Sequence, residues 1–149
     1  MTGASQMSGT STKTDPNGNR TGRKILMVED DADNRNVYKL ILQHRGFEVI
    51  EAVTGSEGLD LARSDLPDLI LMDISLPGVN GWEVAKLLKA EERTRSIPIL
   101  VLTAHGLAAD RALAAELGCE GFLVKPIAPS RIVEEVSLRL KSPVQFSSH

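Results

Sequence analysis

The sequence predicts an α/β fold in which helices cover both faces of a five-stranded parallel β-sheet. Short apolar runs alternate five times with segments whose apolar residues recur at helical spacing, which is the pattern of such a sheet. The run at 69–72 contains no polar residue, as expected for a central strand that is buried on both faces. Asp73 ends this run, and the turn formers Pro77-Gly78 and Asn80-Gly81 follow. The strand therefore delivers one carboxylate to the sheet edge where ligands bind in open α/β folds.

The predicted elements follow one another without a linker or an internal repeat. Each strand is an apolar run, and the fourth tolerates Pro98 because this residue stands at its start. We predict strands at 25–28, 47–53, 69–73, 97–103 and 120–124, and helices at 33–45, from 55 onward, and at 80–92, 107–117 and 129–140.

Residues with known capping preferences mark the helix ends. Asp33 is the predicted N-cap of the first helix, and Gly46 is its C-terminal stop. The segment Thr54-Gly55-Ser56-Glu57 matches a capping box, Asn80 caps the third helix, and Gly118 closes the fourth. The residues at helical spacing in the first helix are Val37, Leu40, Ile41 and His44.

Length and composition predict one folded domain at 23–141 in the chain of 149 residues. Residues 1–22 are rich in Ser, Thr, Gly and Asn and bury too little apolar surface to offset their ordering entropy, so we predict a flexible extension. Residues 142–149 are predicted to be a short C-terminal tail.

The composition also argues against several classes of function. The net charge of −3 gives no basic surface for DNA. No apolar run approaches the roughly 18 residues of a membrane-spanning helix. Cys119 is the single cysteine, so no disulfide framework forms within the chain. We therefore expect a cytoplasmic protein that binds neither DNA nor membranes.

Polar residues interrupt the apolar strands mainly at their exits. Glu29 and Asp30 follow the first strand, Asp73 ends the third, Thr103 ends the fourth, and Lys125 follows the fifth. A parallel sheet brings these exits to one edge. Carboxylates in one crevice repel each other unless a cation joins them, and oxygen ligands of this kind suit Mg²⁺. Any one of these residues alone would be unremarkable in a solvated loop, but their conjunction indicates a site.

This set of residues suits phosphoryl transfer. Asp73 can act as a carboxylate nucleophile toward phosphorus and form an aspartyl phosphate. Such transfer asks the protein mainly for positioning and charge stabilisation. Lys125 would pair with phosphoryl oxygens, and the Thr103 hydroxyl would donate a hydrogen bond to another.

The chain resembles the receiver domain of two-component response regulators over about residues 24–140. The resembling segments are ILMVEDD at 25–31, PDLILMDISLPG at 67–78, PILVLTA at 98–104 and GFLVKP at 121–126. The ordered set is highly specific, although each segment alone is a weak motif. The resemblance implies a flavodoxin-like sheet with the strand order 2-1-3-4-5.

The resemblance also implies a role for each site residue. Asp30 would bind the metal directly, Glu29 through water, and the backbone carbonyl of Ser75 would complete the protein ligands. Asp73 would be both phosphoacceptor and metal ligand, and Lys125 would contact the phosphoryl group. On phosphorylation Thr103 would move toward a phosphoryl oxygen and Phe122 would turn inward behind it. The face formed by helix four, strand five and helix five would then change its preference for partners.

Two positions depart from the commonest receiver pattern, and two others are expected to tune the lifetime of the phosphoryl group. Glu29 replaces a frequent Asp, which the family accepts. Phe122 stands where Tyr is common, so that position lacks a hydroxyl. Ser75 and His105 flank the acyl phosphate, where the resemblance implies an influence on its hydrolysis.

We therefore predict a phosphoacceptor switch that takes a phosphoryl group from a sensor histidine kinase or a histidine phosphotransfer protein. It would catalyse only its own phosphorylation and dephosphorylation, and so would not be a conventional enzyme. Only residues 141–149 follow Leu140, so we expect output through contact with a downstream protein, as in stand-alone chemotaxis and cell-cycle regulators. Whether the protein forms a homodimer is left open.

Two classes of protein with a similar fold fit the sequence less well. A haloacid-dehalogenase-like phosphatase needs a second Asp two residues after the nucleophile, where this chain has Ser75. A nucleotide or flavin binder would have a Gly-rich loop after the first strand, where this chain has acidic residues. A receiver cut from a larger hybrid kinase or regulator, and a receiver-like interaction module that is not phosphorylated, stay open as alternatives.

Overall fold

The sheet has five parallel strands in the order β2-β1-β3-β4-β5, which confirms the predicted topology. It is seen in a computed structural model that describes residues 23–75 and 80–140. The predictions for residues 1–22, for the Pro77-Gly78 turn and for the C-terminal tail lie outside these residues. The elements in chain order are β1 (Lys24–Val28), α1 (Ala32–His44), β2 (Glu48–Ala52), α2 (Gly55–Asp65), β3 (Leu69–Asp73), α3 (Gly81–Ala90), β4 (Ile99–Thr103), α4 (Ala108–Leu117), β5 (Gly121–Val124) and α5 (Pro129–Arg139).

The three central strands are apolar on both faces because a layer of helices covers each face. Side chains alternate across a strand, so neighbouring residues of β3 enter opposite layers. Ile70 and Met72 pack with residues of α2 and α3, whereas Leu69 and Leu71 pack with residues of α1 and α5. All five residues of β3 are buried. The strand that carries the candidate nucleophile is therefore as enclosed as its neighbour β4, whose five residues are also all buried.

Helix α1 differs from its prediction at its start and in its buried face. The N-cap is Asp31, whose side chain accepts a 2.9 Å hydrogen bond from the Asp33 amide, so the prediction of Asp33 as the cap was wrong. The buried residues are Tyr38 and Leu42, whereas Leu40 is 64% exposed. Two apolar stripes lie side by side on this helix, and the sheet covers the one that contains the tyrosine ring.

The other predicted helix ends are close to those observed. Thr54 caps α2 by accepting a hydrogen bond from the Glu57 amide at 3.1 Å. The Glu57 carboxylate accepts from the Val53 amide, one residue before the partner of a standard capping box. The Asn80 side chain accepts from the Trp82 amide, and Gly118 ends α4 in the left-handed conformation at φ 86°.

A close approach places the start of α3 against the exit of β3. A methyl group at Gly81 would lie 2.5 Å from the Cα atom of Ile74 and 3.1 Å from the carbonyl oxygen of Asp73. Only glycine fits there, because both neighbouring atoms belong to the backbone. In the part of the chain that the structure describes, no helix is long and apolar enough to span a bilayer.

The cap of α2 provides a test of local stability. Replacing Thr54 with Ala removes the acceptor for the Glu57 amide and should lower the free energy of unfolding by about 1 kcal/mol. Thr54→Ser keeps the oxygen and should retain most of the stability. Ser56→Ala, at an exposed position of the same turn, is the matched control and should change stability by less than about 0.5 kcal/mol in urea denaturation. Equal losses for Thr54→Ala and Ser56→Ala would contradict the capping role.

Candidate functional site

The candidate site lies at the carboxyl ends of β1, β3, β4 and β5. Glu29, Asp73 and Thr103 are almost fully buried there, with exposed fractions of 0%, 2% and 1%. Asp30 follows Glu29 in the same loop and is exposed. Lys125 follows β5, and its side chain is 18% exposed. The structure thus places these predicted residues at one sheet edge, because parallel strands deliver all their exits to the same side.

Lys125 bridges the two buried carboxylates. Its ammonium nitrogen lies 3.0 Å from Glu29 Oε1 and 2.7 Å from Asp73 Oδ2, and it donates a hydrogen bond to each. A buried carboxylate requires a partner of this kind, because removing an unpaired charge from water is very unfavourable. The lysine therefore joins residues that are 96 and 52 positions away in the sequence.

Backbone amides fix the remaining carboxylate oxygens of the buried pair. The Ser75 amide donates to Asp73 Oδ1 at 2.8 Å, and the Asp31 amide donates to Glu29 Oε2 at 3.2 Å. Ser75 itself is exposed just beyond β3. Both buried carboxylates are consequently oriented at both oxygens before any ligand arrives.

The electrostatics of the cluster follow from burial and from these bonds. Burial raises the pKa of Glu29 above its usual value, although the hydrogen bond from Lys125 opposes this effect. Burial lowers the pKa of Lys125, but the hydrogen bonds to Asp73 and Glu29 and the negative charges of these two residues together outweigh burial and raise the lysine pKa. Burial likewise raises the pKa of nearby Tyr38, which stays neutral. The lysine is therefore held in its charged form.

The acidic residues have the composition and spacing of a divalent-cation site. Glu29, Asp30 and Asp73 each offer an oxygen, and these three oxygens lie within 4.8 Å of one another. Three carboxylates around a single ammonium leave an excess of negative charge, which a divalent cation would neutralise. Carboxylate oxygens are also the ligands that Mg²⁺ prefers. The residues present therefore fit a magnesium ion.

Thr103 and Phe122 occupy neighbouring strands beside this cluster. The Thr103 hydroxyl donates to the carbonyl oxygen of His105 at 3.1 Å and accepts from the His105 amide at 3.0 Å. The half-buried Phe122 ring packs against the core on the α2 and α3 side. The guanidinium carbon of Arg111, on α4, lies 4.8 Å from the ring centroid, which is the geometry of a cation–π contact.

Two arginines that contact these predicted residues were not predicted from the sequence. Arg111 covers Phe122, and Arg35 donates hydrogen bonds to the backbone carbonyls of Glu29 and Asp30. The position of Arg35 could have been noticed in the sequence, because a cation in the first turn of a helix is unfavourable beside the positive end of the helix dipole and so indicates a compensating contact. Arg111 carried none, because its contact depends on how α4 packs beside β5.

The fold and this site define a class of protein, and comparison with known proteins gives the family. The sequence model of the response regulator receiver domain family matches residues 25–137 of this chain. The chain belongs to the response regulator receiver domain family, and is therefore a phosphoacceptor signalling protein of the two-component type. The family was predicted from the sequence, and this match confirms it.

Individual relatives agree with this assignment. The polar-differentiation response regulator DivK of Brucella ovis is 40% identical over 114 residues, which cover 76% of this chain and 93% of that protein. The solved structure of the chemotaxis response regulator CheY4 of Vibrio cholerae is 30% identical with a TM-score of 0.75, over 80% of this chain and 100% of that one. The receiver domain of sensor histidine kinase PA1611 of Pseudomonas aeruginosa PAO1, solved with a magnesium ion in its active site cleft, is 30% identical with a TM-score of 0.74, over 82% and 100% of the two chains.

The Lys125 bridge predicts a stability loss that depends on pH. Lys125→Met would leave the Glu29 and Asp73 carboxylates buried without a cation and should lower the free energy of unfolding by about 3 kcal/mol at neutral pH. The raised pKa of Glu29 lets the folded variant take up a proton at a pH where the unfolded chain does not. Its stability should therefore rise as the pH falls through the Glu29 pKa toward the usual value of a glutamate.

Urea denaturation at about pH 7 and about pH 5 measures this difference. Adding Glu29→Gln to Lys125→Met should restore part of the stability at the higher pH, because one of the two unpaired charges is gone. An equal loss at both pH values, unaffected by Glu29→Gln, would show that the lysine stabilises the protein by packing alone.

Proposed function

We propose that this receiver domain is a Mg²⁺-dependent switch in which Asp73 accepts the phosphoryl group. The observation that carries the proposal is the environment of Asp73. Asp73 is 2% exposed and accepts hydrogen bonds from Lys125 and from the Ser75 amide. One of its carboxylate oxygens lies within 4.8 Å of an oxygen of Glu29 and of Asp30, close enough for the three to hold one metal ion. In this assignment Asp30 and Asp73 bind the metal directly, Glu29 binds it through water, and the Ser75 backbone carbonyl completes the protein ligands.

The proposed reaction is an in-line transfer between two side chains. A carboxylate oxygen of Asp73 attacks the phosphorus of a phosphohistidine on the donor protein. An oxygen–phosphorus bond forms, the phosphorus–nitrogen bond breaks, and its electron pair stays on the departing imidazole. The Lys125 ammonium and the Thr103 hydroxyl stabilise the phosphoryl oxygens during transfer. Magnesium, when bound, supplies further positive charge against those oxygens.

Hydrolysis by water returns Asp73 to its carboxylate form, so the domain catalyses only its own phosphorylation and dephosphorylation. This limited chemistry distinguishes the proposed protein from a conventional enzyme. His105 lies two residues beyond Thr103 and is exposed at the edge of the site. Its side chain and that of Ser75 are placed to influence the access of water to the acyl phosphate.

The proposed switch begins at Thr103. Its hydroxyl now bonds the backbone of His105, and a phosphoryl oxygen on Asp73 would compete for it. Movement of Thr103 would open space behind it for the Phe122 ring, which sits on the adjacent strand β5. The surface of α4, β5 and α5 would change as a result. Leu107 and Val124 supply exposed apolar area on this surface, at 62% and 36%.

The partners are proposed from the family and its named members. A sensor histidine kinase or a histidine phosphotransfer protein would donate the phosphoryl group in the cytoplasm, and a downstream protein would read the α4-β5-α5 surface. Similarity to DivK across 93% of its length favours a stand-alone regulator. Similarity to the receiver domain of the kinase PA1611 supports the alternative, a receiver that is part of a hybrid kinase.

Intact mass tests the proposed nucleophile. After incubation with acetyl phosphate and Mg²⁺, the wild-type protein should gain one phosphoryl group, because Asp73 is the oriented carboxylate at the site. Asp73→Asn and a chelated wild-type sample should gain none. Asp60→Asn is the matched control, since Asp60 is an exposed carboxylate on α2. No gain by folded wild-type protein would favour the interaction module that is not phosphorylated.

The switch residues give a second prediction. Thr103→Val keeps the shape of the side chain but removes the hydroxyl, so phosphorylation should still be detectable by mass. In NMR spectra the amide signals of residues 121–124 should shift on phosphorylation of the wild type and should shift much less in this variant.

Thr94→Val is the matched control for the switch. Thr94 is fully buried and its hydroxyl donates to the Leu88 carbonyl, so the substitution loses a comparable bond away from the site. It should keep the phosphorylation-dependent shifts. A full response in Thr103→Val would remove Thr103 from the switch while leaving the phosphoacceptor assignment intact.

A further inference from the structure

Arg35 binds the backbone of the loop that carries the two acidic residues after β1. Its Nη1 atom donates to the carbonyl oxygens of Glu29 and Asp30, each at 3.0 Å. Its Nε atom lies 3.5 Å from Glu51 Oε1 on β2, and the side chain is only 18% exposed. We propose that Arg35 is a positioning residue that holds Asp30 in place for a divalent cation, an inference that rests on the metal site of the proposed function.

The three acidic side chains of the site are held in different ways. Glu29 is fixed by Lys125 and by the Asp31 amide, and Asp73 is fixed by Lys125 and by the Ser75 amide. Among the described residues, no hydrogen bond reaches the carboxylate of Asp30, which is exposed. The position of this carboxylate therefore depends on the backbone to which it is attached.

Arg35 fixes that backbone on both sides of Asp30. The Glu29 carbonyl belongs to the peptide unit before the Asp30 Cα atom, and the Asp30 carbonyl belongs to the unit after it. One guanidinium nitrogen that binds both carbonyls sets the orientation of both units. The last bond from the sheet to this loop runs from the Glu29 amide to the Ala52 carbonyl at 3.0 Å, before Asp30 is reached. Beyond that bond, Arg35 holds the backbone of the loop in place of the sheet.

The charged residues around Arg35 explain how a cation can occupy the first turn of α1, and one of them, Lys39, is a matched control. A cation in the first turn of α1 is unfavourable beside the positive end of the helix dipole. Glu51 compensates, because its carboxylate lies near Arg35 on one side and 3.0 Å from Lys39 Nζ on the other. Lys39 therefore has the same charge and the same acidic partner as Arg35. It makes no hydrogen bond to the acidic loop among the described residues.

The inference predicts a loss of metal affinity that is separate from any effect of charge. Arg35→Met should weaken Mg²⁺ binding roughly tenfold, as is typical when a group that orients a metal ligand is removed. Removal of a positive charge by itself would strengthen cation binding slightly, so the expected change has the opposite sign. Arg35→Lys keeps the charge and one flexible donor and should recover part of the affinity.

The experiment is a calorimetric titration of the full chain with Mg²⁺, with the melting temperature of the metal-free protein recorded for each variant. The proteins are wild type, Arg35→Met, Arg35→Lys and Lys39→Met. The Lys39 variant should bind Mg²⁺ within about twofold of wild type, because Lys39 does not bind the acidic loop and its partly exposed ion pair with Glu51 contributes little. Weaker binding by Arg35→Met alone, with partial recovery in Arg35→Lys, supports the inference.

Two other results overturn it. If Arg35→Met binds Mg²⁺ like wild type, or if the Arg35 and Lys39 variants change equally, Arg35 does not position Asp30. If the wild type itself does not bind Mg²⁺, the inference falls together with the metal site of the proposed function. Should Arg35→Met fail to fold, Arg35→Lys decides the question: affinity equal to that of wild type overturns the inference, and a loss that Lys39→Met does not share supports it.

Discussion

The structure depends on one electrostatic constraint, which is that two carboxylates are buried together at the edge of a parallel sheet. Glu29 and Asp73 can remain there because the Lys125 ammonium lies between them, at 3.0 Å and 2.7 Å. The fold of the whole domain is needed to bring these groups together, since they come from β1, β3 and the segment after β5. The contacts that let these carboxylates stay buried are therefore the same contacts that orient the Asp73 carboxylate. The strands that form the core are also the strands that end in reactive groups.

The strands of the sheet and the residue types at the site could be predicted from the sequence because short sequence patterns determine both. An unbroken apolar run identifies a covered strand, and the single polar residue at its end identifies what the strand delivers. Asp73, Thr103 and Lys125 could be assigned to one edge without knowledge of any contact, because parallel strands permit no other arrangement. The order of the strands came instead from the family resemblance, since periodicity does not specify which strands are neighbours.

Contacts between side chains could not be predicted in this way. The stripe of α1 that contains Tyr38 and Leu42 was buried in preference to the equally spaced stripe beside it, and only the packed sheet distinguishes the two. The N-cap of α1 was predicted at Asp33 but is Asp31, because two acidic residues near a helix start offer equivalent hydrogen-bond acceptors and the sequence does not distinguish them. Arg35 and Arg111 make their contacts through long side chains, whose direction a sequence pattern does not determine.

The same geometry indicates how a local charge change could reach a distant surface. Lys125 donates to Glu29 and Asp73, and the single hydroxyl hydrogen of Thr103 is used in its bond to the His105 carbonyl. A phosphoryl group on Asp73 would add oxygens that attract the Lys125 ammonium and compete for the Thr103 hydroxyl. The Thr103 hydroxyl would have to give up its bond to His105 to donate to a new acceptor, and Phe122 lies on the strand next to Thr103. Arg111 covers the Phe122 ring from α4, and because this ring carries no hydroxyl, any inward turn of the ring would weaken the cation–π contact. The contact between α4 and the strand next to Thr103 is therefore made through an aromatic face, where a tyrosine would also offer a hydroxyl for hydrogen bonding.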